Sequence, residues 1–259
     1  MTEGLSRAWH LDGHVVEVFE HDLARWGECQ EELMGRGVGV PLVHRTSWIK
    51  EMNPHGQLFL AARDAADGTL SAAVPFQRHS TRSLPGHCRL RVTHFGYASR
   101  EYGLGAAAAS LGRFVAEDPK SLSASLQVFL VDDGARGRLE RHLMDLGYER
   151  ARAPLTYRET LRLDLSPDED VLFRSFAPTC RRFIRAPEKK GLSVRTMDDP
   201  QWADRMDTIW RDTFARTGAR APSRQWSDLL EFAGRHPREL RIVGTFGPNY
   251  PAPPSLTAL

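Results

Sequence analysis

The densest chemistry in this chain lies in Ser175–Arg195, SFAPTCRRFIRAPEKKGLSVR. Arg181, Arg185 and Lys189 are spaced four apart, so a continuous helix presents them on one face. Arg182 and Lys190 flank them, while Phe183 and Ile184 face elsewhere. Such a row can hold a phosphate or pyrophosphate, because Arg presents a planar fork of donors and Lys a point charge. The same row also describes a solvated face of a surface helix, and charge alone leaves both readings open. Cys180 stands beside two Arg, but no His is near it in sequence, so it is not read as a nucleophile. Asp132-Asp133 and Asp198-Asp199 read as helix starts rather than acid/base pairs. His10 and His14 are four apart with Gly13 between them, which suits solvent or turn histidines better than a metal pair on a helix. No metal site is expected. No catalytic residue is assigned.

These side chains need elements to position them. Val15–Phe19 reads as a strand, followed by a helix from Asp22 to Arg36. Thr46-Ser47 is expected to cap a short helix carrying Trp48, Ile49 and Met52. Gln57–Arg63 and Thr69–Arg78 flank Asp67-Gly68, a strong hairpin signal. Arg89–Tyr97 is a strand, Gly105–Glu117 an Ala-rich helix, Leu126–Val131 a buried strand and Ala135–Leu146 a helix. Tyr157–Leu165 alternates and closes the unit.

A new segment opens with Ser166 as cap and Pro167 at the first helical position. Pro178 interrupts this helix, and Thr179 caps another running into Arg185. Leu192–Thr196 reads as a strand. Trp202, Met206, Ile209, Trp210 and Phe214 follow helical spacing up to Gly218, and Trp202 and Trp210 are expected in the core. The helix Ser223–Arg235 is expected to bury Trp226, Leu229, Leu230 and Ala233. Leu240–Phe246 is a strand. The second half therefore repeats the first four elements of the first half, without a visible sequence repeat. The expected domains are 1–165, a basic helical linker 166–191, a partial second domain 192–246 and a Pro-rich tail 247–259.

Composition limits the classes of function. Of 259 residues, 41% are hydrophobic and 26% charged, which is globular. The net charge of +2 argues against a global basic field but allows a local patch. Three cysteines without CxxC spacing argue against a disulfide framework, so a reducing, cytoplasmic setting is expected. No apolar stretch approaches a membrane span, and the N-terminus lacks a signal peptide's apolar core.

The basic segment resembles the R-R-x-I-R-x-A-E-K-K-G-L stretch of Fem-type peptidoglycan-bridge aminoacyltransferases and their CelD-like (cellulose-biosynthesis-type) relatives in the GNAT superfamily. Arg181, Arg182, Ile184, Arg185, Glu188, Lys189, Lys190, Gly191 and Leu192 carry the match. Pro41–Met52, with Trp48, resembles an early F-H-x-x-x-W segment, and Phe214–Gly218 resembles T-F-x-R-T-G. The resemblance implies an α/β fold: a GNAT-like mixed sheet flanked by helices, with one complete unit and a second incomplete one. It implies N-acyl or N-aminoacyl transfer. The donor would be acetyl-CoA, another acyl-CoA or an aminoacyl-tRNA. The acceptor would be an amine on a small-molecule, sugar-related or cell-wall precursor. Arg181, Arg182, Arg185, Lys189 and Lys190 are then the phosphate contacts, with Arg216 as a further candidate. In GNAT enzymes an R-x-x-G-x-G/A turn holds coenzyme A pyrophosphate, and Arg100, Gly103 and Gly105 match it between strand and helix.

Two departures stand out. Pro187 occupies a position where the family continues its helix, so a kink after Ala186 is expected to take Lys189 and Lys190 off the row. The chain also stops after 20 residues of what would be the counterpart of 57–165, as a shortened member would. A catalytically inactive, truncated member and an RNA-binding module using 181–190 are the alternative readings.

Overall fold

The computed structural model describes residues 6–96, 101–130, 132–152, 163–222, 224–247 and 250–258. The chain divides into two compact units, Met1–Arg158 and Glu159–Leu259.

The first unit starts one strand earlier than expected. β1 (Ser6–Leu11) and β2 (His14–Glu20) form an antiparallel hairpin around Asp12-Gly13. Both turn residues have positive φ (47° and 77°), the requirement of a tight turn between twisted strands. Of the two histidines read as solvent or turn residues, His10 is exposed, and His14 flanks the turn, buried, with its Nδ1 2.9 Å from the Asp12 carbonyl. α1 (Leu23–Gly35) follows, with the Asp22 side chain accepting from the Arg25 amide as N-cap. α2 (Thr46–Met52) is capped by Arg45 without a side-chain bond. Thr46, expected as the cap, instead gives its amide to Gln30 Oε1 at 2.9 Å.

The hairpin β3 (Gln57–Asp64) and β4 (Leu70–Ser80) forms as expected, with Gly68 at φ 71°. β5 (Cys88–Phe95), α3 (Glu101–Glu117), β6 (Ser121–Val128) and α4 (Asp133–Asp145) complete the described part. The sheet order is β1-β2-β3-β4-β5-β6, antiparallel except for the parallel pair β5–β6. β6 is not the buried strand expected. It begins five residues earlier and lies at the edge among the described strands, mostly half-buried. Most of the expected strand Tyr157–Leu165 lies outside the described residues, and 163–165 are irregular.

The core forms on both faces of this sheet. On one face Val16, Val18, Leu58, Leu60, Val74 and Phe76 pack with Leu104, Leu111 and Phe114 of α3 and Leu139 and Leu143 of α4. On the other, Phe19, Phe59 and Ala61 pack with Trp26, Cys29 and Leu33 of α1 and Ile49 of α2. Alternate residues of β3 thus serve opposite layers, which follows from the strand period of two. Trp26 stacks on Phe59 at 5.1 Å, and its Nε1 donates to the His44 carbonyl at 2.8 Å.

In the second unit, α5 (Glu169–Ser175) is capped at Asp168 rather than Ser166, and α6 (Pro178–Lys189) starts on Pro178, ahead of Thr179. β7 (Ser193–Thr196), α7 (Ala203–Arg216), α8 (Trp226–Arg235), β8 (Ile242–Gly247) and β9 (Tyr250–Ala258) follow. Asp199 caps the 3-10 turn that leads into α7. Trp202, Trp210, Trp226 and Leu229 are only partly covered, whereas Met206, Leu230, Phe232, Ala233 and Ile242 are buried.

β9 replaces the expected Pro-rich tail. It pairs antiparallel with β8 in the order β7-β8-β9. The regular ladder runs through Ser255–Ala258, and the three prolines at 251, 253 and 254 fall where the register shifts. An edge position and an irregular ladder are the places where a strand tolerates proline.

The burial of Phe59 between Phe19 and Trp26 sets one expectation. Phe59→Ala should cost about 3–5 kcal/mol in urea unfolding. Val194→Ala, on an exposed edge strand, should stay within about 0.5 kcal/mol. Equal losses would contradict the layered core.

Candidate functional site

The basic segment forms the helix its spacing predicts. Arg181, Arg182, Arg185 and Lys189, with Pro178 and Ala186, line an open depression of about 320 Å³. α6 runs on through Pro187, so the expected loss of Lys189 from the row does not occur. Lys190 lies beyond the helix end and outside the lining.

The arginines are individually braced. Arg181 Nη1 donates to the Arg174 carbonyl at 2.9 Å. The Arg185 guanidinium lies over Phe173 at 4.6 Å, and that of Arg182 over Phe183 at 5.5 Å. Among the described residues none of these four cations forms a salt bridge. Arg216, at the end of α7, donates to Thr213 Oγ1 and is not part of the depression.

The glycine motif of the first unit is placed differently from the expected turn. Arg100 lies outside the described residues. Gly103 and Gly105 are inside α3, which begins at Glu101. Gly103 falls in the first turn, where amides lack helical partners, but Gly105 falls beyond it, where they are bonded. Both glycines also have a packing reason. A β-carbon on Gly103 would stand 2.6 Å from Ser71 Cβ and 2.9 Å from the Ser71 carbonyl oxygen. On Gly105 it would meet His142 Nε2 at 2.8 Å.

A second feature of this unit escaped the sequence reading. The ladder between β5 and β6 pairs Val92 with Leu126 and resumes at Phe95 with Val128. Thr93 and His94 thus oppose the single Gln127, which is a bulge. His94 sits there with φ 54°, an uncommon conformation for a residue with a side chain. Its ring meets His44 edge-on at 5.7 Å and Phe129 at 5.4 Å.

Burial pushes the His44 pKa down to about 3, with His94 adding to the effect, although its ring is hydrogen-bonded to the Thr93 backbone. Burial also lowers the pKa of His94. The two rings are therefore a neutral pair at physiological pH. They are 50 residues apart in sequence, and no local pattern links them. Among the described residues no group of three or more His, Cys, Asp or Glu could hold a metal, and no helix is long and apolar enough to cross a membrane.

No family model matches the sequence, and no curated protein matches it. Solved structures do. FemX superposes with a TM-score of 0.62 at 15% identity, over 92% of this chain. The chain has a FemX-like fold. Its mixed sheet and flanking helices are GNAT-like, as the sequence resemblance implied. The chain spans 57% of the length of FemX. An aminoglycoside acetyltransferase from an uncultured soil metagenomic sample matches over 58% of this chain and 98% of its own, with 12% identity and TM-score 0.39. A ribosomal-protein-alanine N-acetyltransferase from Brucella melitensis matches over 58% and 99%, with 16% identity and TM-score 0.36. Those two likenesses are too distant to carry an argument.

Two outcomes are expected. Gly103→Ala should destabilise the protein by about 1–3 kcal/mol, because the Ser71 backbone cannot yield. Thermal unfolding of this variant checks it, and an unchanged midpoint would contradict the close packing. His44 should confer acid sensitivity. Its folded pKa is depressed below the ordinary 6.5, so the unfolded chain takes up the proton first. Stability is then complete above pH 6.5 and falls as pH drops, by about 2 kcal/mol at pH 5. Urea unfolding against pH, compared with His44→Gln, measures this slope.

Proposed function

We propose that this chain is an N-acyltransferase of the Fem-type or CelD-like kind. It would transfer an acetyl, acyl or aminoacyl group to an amine of a cell-envelope or sugar-related acceptor. The observation that carries this reading is the depression that Arg181, Arg182, Arg185 and Lys189 line on α6, within a chain that follows the FemX fold over 92% of its length. Both classes of donor, coenzyme A thioesters and aminoacyl-tRNA, carry phosphates, as does a nucleotide-linked acceptor. Arg181, Arg182, Arg185 and Lys189 would hold them, the arginines through paired donors and Lys189 as a point charge. Lys190 and Arg216 stay outside this set.

Acyl transfer from such a donor needs a deprotonated amine and a stabilised oxyanion. The acyl group would then lie in the first unit, near the bulge at which Thr93 and His94 of β5 oppose Gln127 of β6. The neutral imidazoles of His44 and His94 lie beside it. Gly103, in the first turn of α3, remains a candidate contact for a coenzyme A pyrophosphate, together with Arg100. Gly105 is assigned to packing.

Titration calorimetry with coenzyme A, and transfer of a labelled amino acid from aminoacyl-tRNA to a cell-wall precursor, separate the donors. Arg181→Ala combined with Arg185→Ala should weaken the effective ligand at least tenfold, about 1.4 kcal/mol. Full retention of binding and transfer in that variant would remove α6 from the site. Absence of both activities in the wild type would favour an inactive member of the fold.

A further inference from the structure

The sheet of the first unit carries a polar array that the acyl-transfer reading leaves unused. Residues two apart on a strand share a face, so Arg89 and Arg91 of β5 stand on the side opposite Leu90 and Val92, which are buried. The strand registers bring a neighbour to each arginine from either side. His79 of β4 and Ser123 of β6 flank Arg89, and Gln77 and Ser125 flank Arg91. Within each row of three the neighbours are about 4.8 Å apart, and the two rows are about 6.7 Å apart. α1 and α2 pack over Phe19, Phe59 and Ala61 on this side of the sheet but leave the array open, with His79, Arg89, Arg91 and Ser123 exposed. Among the described residues neither guanidinium is hydrogen-bonded or ion-paired, and the array holds no carboxylate. Burial, and then the charge of Arg91, lower the pKa of His79, so the guanidinium field reaches across the array. Exposed Lys120 and Arg82 stand at the same end of the sheet, where the acids Glu20 and Asp118 are engaged by Arg78.

We propose that this face binds the sugar-phosphate backbone of a nucleic-acid duplex. Arg89 and Arg91 would each take a separate phosphate of one strand through the guanidinium fork, and Gln77, Ser123 and Ser125 would donate to phosphate oxygens beside them. The occupant follows from what the array has and what it lacks. Cations with hydroxyl and amide donors are what a duplex backbone needs. The array has no Phe, Tyr or Trp on which the bases of a single strand could stack. It also has no exposed apolar side chain of the kind that anchors the centre of a protein interface. A contact made to phosphates reads neither base nor sugar, so RNA and DNA duplexes are equivalent occupants. The proposal does not depend on the acyl-transfer reading.

Fluorescence anisotropy of the full chain with labelled duplexes of about 16 base pairs, one of RNA and one of DNA, tests the proposal. Both should bind with a dissociation constant of about 0.1 mM or tighter at about 0.05 M salt. Raising the salt to about 0.2 M should weaken binding at least about tenfold. Arg89→Gln combined with Arg91→Gln should weaken it at least about fivefold at low salt and reduce the salt slope by about two. Arg89→Lys combined with Arg91→Lys keeps both charges and should keep the slope. Circular dichroism of both variants should match the wild type, since both side chains are exposed. No binding, an affinity independent of salt, or an affinity and slope unchanged in the glutamine variant would overturn the proposal. So would tighter binding of a single strand of the same length, or a loss confined to Arg181→Ala combined with Arg185→Ala, which would move the contact to α6. Tighter binding of a peptide of alternating Glu and Ser than of either duplex would assign the face to an acidic protein segment instead.

Discussion

The first unit depends on one strand being buried on both faces. β3 sits in mid-sheet, and Leu58, Leu60 and Ala62 turn to α3 and α4 while Phe59 and Ala61 turn to α1 and α2. A slip of one residue in its pairing would exchange the two sets and place Phe59 against the tightly packed alanines of α3. The register is therefore held from both sides. It fixes where Trp26 lies, and Trp26 in turn holds the His44 carbonyl. The pairing of His44 with His94 at the β5 bulge thus follows from a constraint set in the sheet's interior.

The second unit repeats the opening of the first. β2-α1-α2-β3-β4 gives three antiparallel strands in the order β2-β3-β4. β7-α7-α8-β8-β9 gives three antiparallel strands in the order β7-β8-β9. The repeat extends one strand further than the element order of the sequence suggested, through β9. The sequences differ because the same path is filled by different chemistry. The first unit puts Phe19, Trp26 and Phe59 under its helices, and the second puts Met206, Leu230, Phe232 and Ile242 in its core.

What the sequence made legible was whatever carries a local period. The β3–β4 hairpin, the helices α1, α3, α4, α7 and α8, and the row on α6 all follow from apolar or charge spacing. The β1–β2 hairpin carries the same Asp-Gly signal at Asp12-Gly13, but Ser6–Leu11 is mixed in polarity and its burial alternates weakly, so no apolar run marks the first strand. β9 was hidden by its prolines, which exclude a regular central strand but not an irregular edge. The histidine pair had no local signature, since only the register of β5 against β6 and the fold of the α1–α2 connection bring it together. Ser166, Thr46 and Thr179 have the residue type of a cap, but the helices start at Glu169, Thr46 and Pro178, so residue type alone does not fix where a helix begins.

Pro187 shows how position decides the effect of a residue. In mid-helix it would remove a donor and press on the carbonyl four residues back. Here the acceptor left without its donor is the Phe183 carbonyl, and with only two helical residues after the proline the helix ends before a further turn has to be built on the gap. The chain then closes tightly: the Lys190 and Leu192 amides both donate to the Pro187 carbonyl at 3.0 Å, and Gly191 takes φ 66°. That closure ends α6 just after Lys189. One residue earlier it would cut Lys189 from the row, and a longer helix would carry Lys190 further along the same surface. The charge pattern of α6 is thus set as much by where its proline permits the helix to stop as by the spacing of its arginines.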